Sequence, residues 1–290
     1  MIDVLIVGGG PAGISAAVYL KRFKLNILVL MKDYGTLAKT DHIENYYGFI
    51  EPITGTKLVE NGIKQAIRMG IEVKEEEVIH MDSFDDFTVR TTKGEYTAKA
   101  VLLATGASRS GLKVKGFHEY VGKGISYCAV CDGFIYRNKK IALVGSGEFM
   151  HEEYEVLKNF TKDLTVFTNG MPLTVSLENA NVNHESIVEI IGNETITHIK
   201  TKNGIYETDA LFVAIGTPSA SDFALRLGAF LSKNNEIEVD ESFMTNIPGL
   251  FAAGDCIGGF YQIAKAVSDG AHASVAIQKY IKQKNSQSNV

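Results

Sequence analysis

The chain is poor in proline, in cysteine and in positive charge, and each shortage removes a class of protein. Its 290 residues hold 5 prolines against 28 glycines. Tight backbone approaches are therefore expected, and flexible linkers are not. Lysine and arginine number 29 against 34 aspartates and glutamates, a formal net charge of −5. A nucleic-acid binder would show a basic stripe instead. There are only 3 cysteines, Cys128, Cys131 and Cys256. That is one short of the usual iron–sulfur ligand set. No basic leader precedes Asp3, so a signal peptide is not expected and the cytoplasm is the expected location. An uncharged stretch runs from Val4 to Leu20, near the lower limit for a membrane span. Gly8, Gly9, Gly10 and Pro11 interrupt it, so it reads as strand, turn and helix.

What is present is a duplicated pattern. VLIVGGGPAG (4–13) and IALVGSGEFM (141–150) are both apolar strand runs ending in a glycine turn. Each is followed by a second apolar run, AVLLATGAS (100–108) and ALFVAIGTPS (210–219). An internal repeat of a nucleotide-binding unit is the simplest reading. Continuous apolar strands of this kind belong in parallel sheets covered on both faces. The fold class expected is α/β: two Rossmann-like three-layer domains, the second inserted into the first. Residues 1–112 and 246–290 would form the first domain and 113–245 the second, with crossings near Gly111–Gly116 and Glu241–Ile247. Helices are expected over Pro11–Phe23, Thr56–Met69, Glu152–Phe160 and Gln262–Ile281. Phe87–Thr92 and Glu95–Lys99 read as a hairpin, and Glu75-Glu76-Glu77 as a solvated face.

Three motifs carry chemistry. Gly8-x-Gly10-x-x-Gly13 follows a strand and opens a helix. The first glycine permits the turn, the second lets the backbone approach a pyrophosphate, and the third allows close helix–sheet packing. The helix N-terminus then faces the anion. Met31 stands where an acidic ribose partner is usual, and Asp33 is the nearest substitute. The second motif, Cys128-Ala129-Val130-Cys131-Asp132-Gly133, admits four readings. Zinc lacks a second ligand pair, an iron–sulfur cluster lacks a fourth cysteine, and two buried thiols can fall together by chance. A catalytic dithiol fits best, with Asp132 able to supply the proton that thiol–disulfide exchange requires. In the third motif, Gly254-Asp255 ends a strand, where α/β sheets bind ligands. An ordinary helix N-cap is the alternative reading of Asp255.

Together these residues resemble the low-molecular-weight thioredoxin reductases and their flavoprotein relatives. The resemblance spans nearly the whole chain: GGGPAG at 8–13, Glu44-Asn45-Tyr46, Ala104-Thr105-Gly106, Cys128 to Phe134, Gly254-Asp255 and Gln262-Ile263-Ala264. It implies bound FAD, a homodimer, and two domains that rotate to expose the dithiol. It also implies that Cys131 faces the flavin, Cys128 attacks the disulfide of thioredoxin, and Asp132 is the acid/base. FAD contacts would come from Gly8, Gly10, Pro11, Ala12, Gly13, Asn45, Val78, Ala104, Thr105, Gly106, Gly254, Asp255, Gln262, Ile263 and Ala264. Tyr261 stands where relatives often carry arginine.

The departures from the family pattern concern the second glycine turn. Met150 occupies the close-packing position and Glu148 adds negative charge. NADPH-using relatives carry a His-Arg-Arg-x-x-x-Arg stretch after the next strand. Here Thr168-Asn169-Gly170-Met171-Pro172 has no cation. Charge-assisted hydrogen bonds contribute about 1.5–3 kcal/mol each, so losing two or three without compensation weakens NADPH binding by several orders of magnitude. The chain is in this respect similar to the offshoot of the family in which ferredoxin replaces NADPH. Three alternatives stay open: an NADPH-dependent thioredoxin reductase with a divergent site, an oxygen-dependent dithiol oxidase, and a flavin-binding redox sensor. Phe134 and Tyr136 are expected to pack near the dithiol, and Cys256 to be a small buried hydrophobe.

Overall fold

The computed structural model describes residues 2–107, 112–216 and 218–287. In chain order it opens with β1 (Ile2–Val7), α1 (Pro11–Arg22), β2 (Ile27–Met31), α2 (Gly55–Arg68), β3 (Glu72–Glu75), β4 (Val78–Ser83), β5 (Phe87–Thr91) and β6 (Glu95–Leu103). There follow β7 (Ile125–Ser126), α3 (Ala129–Asp132), β8 (Ile141–Val144), α4 (Glu148–Leu157), β9 (Leu164–Phe167), β10 (Asn181–Asn183), β11 (Ile187–Gly192), β12 (Ile196–Thr201), β13 (Ile205–Glu207) and β14 (Ala210–Val213). The chain closes with α5 (Ala220–Arg226), β15 (Leu250–Ala252) and α6 (Ile263–Gln287). Two compact units result: Met1–Ser108 with Ser219–Val290, and Arg109–Pro218.

The larger unit is built on a sheet ordered β3-β2-β1-β6-β5-β4, with β15 also paired to β6. Strand β1 is parallel to β2 and β6. Its Val4 and Ile6 enter a core with α1 and α6, and its Leu5 and Val7 enter another with Phe223 and Ala224 of α5. Burial on both faces explains the absence of polar alternation in this strand. Proline stands at the first turn of α1, where a missing N–H costs nothing. Ser219 and Asp222 form a reciprocal capping box at the start of α5. The burial of Asp222 pushes its carboxyl up, against the pull of its own hydrogen bonds with Ser219 and the charge of Arg226.

The smaller unit carries a parallel sheet ordered β10-β9-β8-β14-β7, and a separate antiparallel sheet of β11, β12 and β13. Ile141, Leu143, Val166 and Phe212 pack toward α3 and α4. Ala142, Val144, Phe167 and Leu211 pack toward Ile187, Ile190 and Ile199 of the antiparallel sheet. The second face is thus covered by strands rather than by helices.

Three expectations need correction. The return to the larger unit comes at Ser219 and not at Asn246, because Ala220, Phe223, Ala224, Ala229 and Ile237 join the core beneath β1 and β2. The other crossing was expected to begin at Gly111, which lies outside the described residues. Glu76 and Glu77 are not a solvated face. Thr91 and Tyr96 hydroxyls donate to the Glu76 carboxylate, and Lys32 pairs with Glu77 at 3.1 Å. Helix α4 begins at Glu148, four residues before the expected start, directly on the glycine turn.

Candidate active site

In the larger unit the first glycine turn is closely packed on every side but one. A Cβ built on Gly8 would lie 2.2 Å from the Ala104 carbonyl oxygen, and one on Gly13 would lie 2.0 Å from the Gly8 oxygen. Both positions therefore demand glycine. A Cβ on Gly10 would meet nothing within 4 Å, which leaves an open cradle above the N-terminus of α1. Pro11 and Ala12 open that helix. Ala12 packs against Gly254, and the Ala12 carbonyl lies 2.1 Å from a Cβ on Gly270, so α1 and α6 cross in close contact.

The other expected cofactor residues fall into smaller groups. Asn45 Nδ2 donates to Gln262 Oε1 at 3.0 Å, joining residues 217 apart in sequence. Ala104, Thr105 and Gly106 follow β6, and the Thr105 hydroxyl accepts the Ala220 N–H at 3.0 Å. Val78 opens the edge strand β4 with its side chain in the core, so only its backbone can serve a ligand. Ile263 and Ala264 form the first turn of α6, beside Gln262. Asp255 follows the Gly254 turn at the end of β15. Burial pushes its carboxyl up and Asp269 adds to this, while Lys265 opposes both. Asp33 accepts the Gly35 N–H at 2.7 Å, and Tyr261 donates to Glu236 at 2.8 Å.

Lys265 was not anticipated. Its ammonium donates to the Gly254 and Gly258 carbonyls at 2.9 and 2.6 Å and pairs with Asp269 at 2.9 Å. Asp269 in turn accepts the Gly254 N–H at 3.1 Å. The only signal in the sequence is a lysine and an aspartate four apart in an apolar helix. Cys256 is buried and its thiol is pushed up to about 12 by that burial.

In the smaller unit the second turn repeats the first and then departs from it. A Cβ on Gly145 would lie 2.2 Å from the Ala214 oxygen, the counterpart of the Gly8–Ala104 approach. The same Cβ would also lie 2.7 Å from the Cβ of Met150, which is fully buried where α1 carries Gly13. Helix α4 accommodates a side chain where α1 tolerates none. Above Gly147, the counterpart of Gly10, stands Thr174. Its N–H and its hydroxyl both donate to the Ser146 oxygen, at 2.9 and 3.1 Å. Its Oγ1 would be 3.5 Å from a Cβ on Gly147. A side-chain oxygen thus stands in ordinary contact range of this turn, where Gly10 has none. Leu173, Val175 and Leu177 on either side pack on the α4 core. The Thr168 hydroxyl, just after β9, is buried without a hydrogen-bond partner among the described residues.

Cys128 and Cys131 form a disulfide with Cα atoms 5.3 Å apart, within the range such a bond requires. Cys128 is buried and Cys131 half-buried. The Ser126 hydroxyl accepts the Cys128 N–H at 3.1 Å and donates to Asp132 Oδ2 at 2.6 Å, which ties the expected acid to the pair. On the other side, Glu153 of α4 accepts the Ala129 N–H at 2.6 Å and is 2% exposed. The phenol of Tyr136 is pushed up by burial and by the nearby Asp132 and Asp209. Tyr136 packs edge-on to Phe212. Phe134, by contrast, does not pack inward: it is 62% exposed, beside exposed Val130 and Ile135.

Residues 2–270 match the model of the pyridine nucleotide-disulphide oxidoreductases. A thioredoxin reductase of Treponema pallidum is 36% identical, over 96% of this chain and 97% of its own. One of Bacillus subtilis is 32% identical, over 97% and 95%. Among solved structures, the atypical thioredoxin reductase TRi of Desulfovibrio vulgaris is similar with a TM-score of 0.89 at 36% identity, covering 98% of this chain and 99% of that one. A ferredoxin-flavin thioredoxin reductase of Clostridium acetobutylicum is similar with a TM-score of 0.69 at 28% identity, covering 97% and 98%.

Proposed function

The chain belongs to the pyridine nucleotide-disulphide oxidoreductase family, as an FAD-binding flavoprotein of thioredoxin reductase type, and on that premise we propose that it reduces thioredoxin with electrons from ferredoxin rather than from a nicotinamide. One observation carries the choice of donor. A Cβ on Gly10 would meet no atom within 4 Å, while one on Gly147 would meet Thr174 Oγ1 at 3.5 Å. The absence of cations over Thr168 to Pro172 points the same way.

The open cradle, the Asn45–Gln262 pair and the half-buried Asp255 fit the pyrophosphate and polyol of FAD. Gly8, Gly10, Pro11, Ala12 and Gly13 would hold the first. Asp255, braced by Lys265 and Asp269, would accept hydrogen bonds from the second. Bound FAD supplies a group that takes electrons singly and returns them as a pair, which is the conversion between ferredoxin and a disulfide.

The dithiol does the rest. Reduced Cys128 attacks one sulfur of the thioredoxin disulfide, forming a mixed disulfide and releasing one thioredoxin thiolate, which takes a proton. Asp132, oriented by the Ser126 hydroxyl, is the group placed to give it. Cys131 then attacks Cys128, releasing the second thioredoxin thiol and restoring the Cys128–Cys131 bond. Two electrons and two protons leave with the partner. Val130, Phe134 and Ile135 offer that partner an exposed apolar rim. A homodimer in the cytoplasm completes the reading.

The test is anaerobic bleaching of the flavin by NADPH, NADH and reduced ferredoxin in turn. Rapid bleaching by ferredoxin alone is expected. Rapid bleaching by micromolar NADPH or NADH overturns the choice of donor.

A further inference from the structure

The turn that carries Asp255 is closed by a single ammonium. Gly254 and Gly258, on either side of Asp255–Ile257, have φ of +84° and +75°, backbone space that side chains avoid. Within the turn, the Ile257 N–H donates to the Gly254 oxygen at 3.2 Å and the Gly258 N–H to the Asp255 oxygen at 3.1 Å. The buried Gly258 carbonyl still needs a donor. Lys265, the third residue of α6, supplies it at 2.6 Å and also reaches the Gly254 carbonyl at 2.9 Å. Its remaining contact is Asp269, at 2.9 Å. An ammonium has three donors and no acceptor, and here three oxygens receive them. Buried Asp269 also accepts the Gly254 N–H at 3.1 Å, so the pair grips Gly254 by both of its backbone groups.

We propose that Lys265 is a positioning residue of the cofactor site: its ammonium closes the turn that carries Asp255 and supplies the positive charge that sustains the Asp255 carboxylate. A carboxylate accepts at both oxygens, whereas a protonated carboxyl gives up part of that capacity. Burial pushes the Asp255 carboxyl up, Lys265 opposes it, and Asp269 adds to it, with the ammonium the stronger of the two charges. The two members of the pair therefore act on Asp255 with opposite signs. The other ionisable groups that face Asp255 are Cys256 and Tyr261 of the same loop, and Glu236, which accepts the Tyr261 hydroxyl and stands against Gly258. Helix α1 packs on Gly254 through Ala12 and has no ionisable side chain from Pro11 to Val18. The proposal rests on Asp255 being a cofactor residue. It is independent of the identity of the donor. FAD affinity that needs the carboxylate is complete above the Asp255 midpoint and is lost as pH falls through it.

The experiment uses the full chain freed of flavin, as wild type, Lys265→Met and Asp269→Asn. Carboxyl-carbon NMR follows the titration of Asp255, and flavin fluorescence reads FAD affinity across the same pH series. Lys265→Met should raise the Asp255 midpoint by about one unit. Asp269→Asn should lower it. The pH at which FAD affinity falls should move with each variant, by up to about tenfold in Kd near the midpoint. A wild-type midpoint in Lys265→Met, or a shift in the same direction in both variants, would overturn the proposal. Damage to the turn alone weakens FAD equally at every pH and leaves the midpoint in place, which also counts against it. A measurement on the unaltered protein covers the case in which the variants do not fold. The Lys265 ammonium protons should exchange with solvent at least about tenfold more slowly than those of exposed Lys279, and equal rates overturn the clamp. Failure of the underlying reading is seen separately, as Asp255 midpoints that move as stated while Asp255→Asn binds FAD as tightly as wild type.

Discussion

Replacing Gly10 by alanine separates folding from cofactor binding. Gly10 has φ −81° and ψ −173°, a conformation open to any residue, and an added methyl meets no atom within 4 Å. The apo chain therefore keeps its stability, or gains about 0.4–1 kcal/mol from a less flexible unfolded state. That methyl stands where a pyrophosphate must close on the turn. Displacing two backbone-to-phosphate hydrogen bonds, at about 1.5–3 kcal/mol each, removes roughly 3–6 kcal/mol of FAD affinity. The dissociation constant should rise by about two to four orders of magnitude. Gly147→Ala is the internal control. Its methyl would rest in ordinary contact with Thr174, 3.5 Å away, and flavin content should not change. Gly13→Ala should fail differently: a methyl 2.0 Å from the Gly8 oxygen forces α1 off the sheet and lowers the stability of the apo chain itself. Urea unfolding of apo protein and titration of flavin fluorescence read the two quantities apart. Wild-type FAD affinity in Gly10→Ala, or loss of flavin in Gly147→Ala, would refute the assignment of the cradles.

Cys131→Ser should trap a mixed disulfide with thioredoxin, visible by intact mass, and Cys128→Ser should not. Cys128 is the more buried of the two in the oxidised protein, and the reverse outcome would exchange their roles. Cys256 should label far more slowly than the reduced dithiol at pH 8, since a thiol pushed up to about 12 carries little thiolate there; a third label arriving with the first two contradicts this. Thr168→Val replaces a buried hydroxyl that has no partner and should stabilise the chain by about 1–3 kcal/mol in urea unfolding. A destabilised variant would mean that the hydroxyl is engaged after all.

The parallel strands were legible because burial on both faces leaves a plain mark: β8 and β14 contain no charged residue, and β1 only Asp3 near its start. The helix α1 was legible from its glycine turn and its N-terminal proline. The stretch from Ser219 to Asn246 was not, and the reason is local. It carries no Gly-x-Gly turn and only a seven-residue helix. Its allegiance is set by Phe223 and Ala224 meeting Leu5 and Leu28, a contact between residues some 200 apart that no local pattern encodes. Glu76 is a similar case. Three consecutive glutamates look solvated until Tyr96, on a neighbouring part of the same sheet, is brought over one of them.

At the site, the sequence registered the departures of the second turn from the family pattern but not the contact that Thr174 makes with it. The missing cations after β9 and the methionine at position 150 were visible, and either could belong to a weakened nucleotide site that still works. Thr174 adds to them: it supplies both of its donors to the Ser146 oxygen and brings its Oγ1 within 3.5 Å of a Cβ on Gly147. Nothing about a threonine 27 residues beyond that glycine announces this. The retention of the second unit then follows from a different part of it. Gly133 rests against Leu157 and Phe160, and Ala129 is held by Glu153, so the helix that follows the second glycine turn is also the floor on which the dithiol is built. On the proposed choice of donor that turn grips no nucleotide and is free to vary at its glycines and its cations. The helix beneath it is not, because each residue that supports the cysteines is fixed by a contact that redox chemistry still uses.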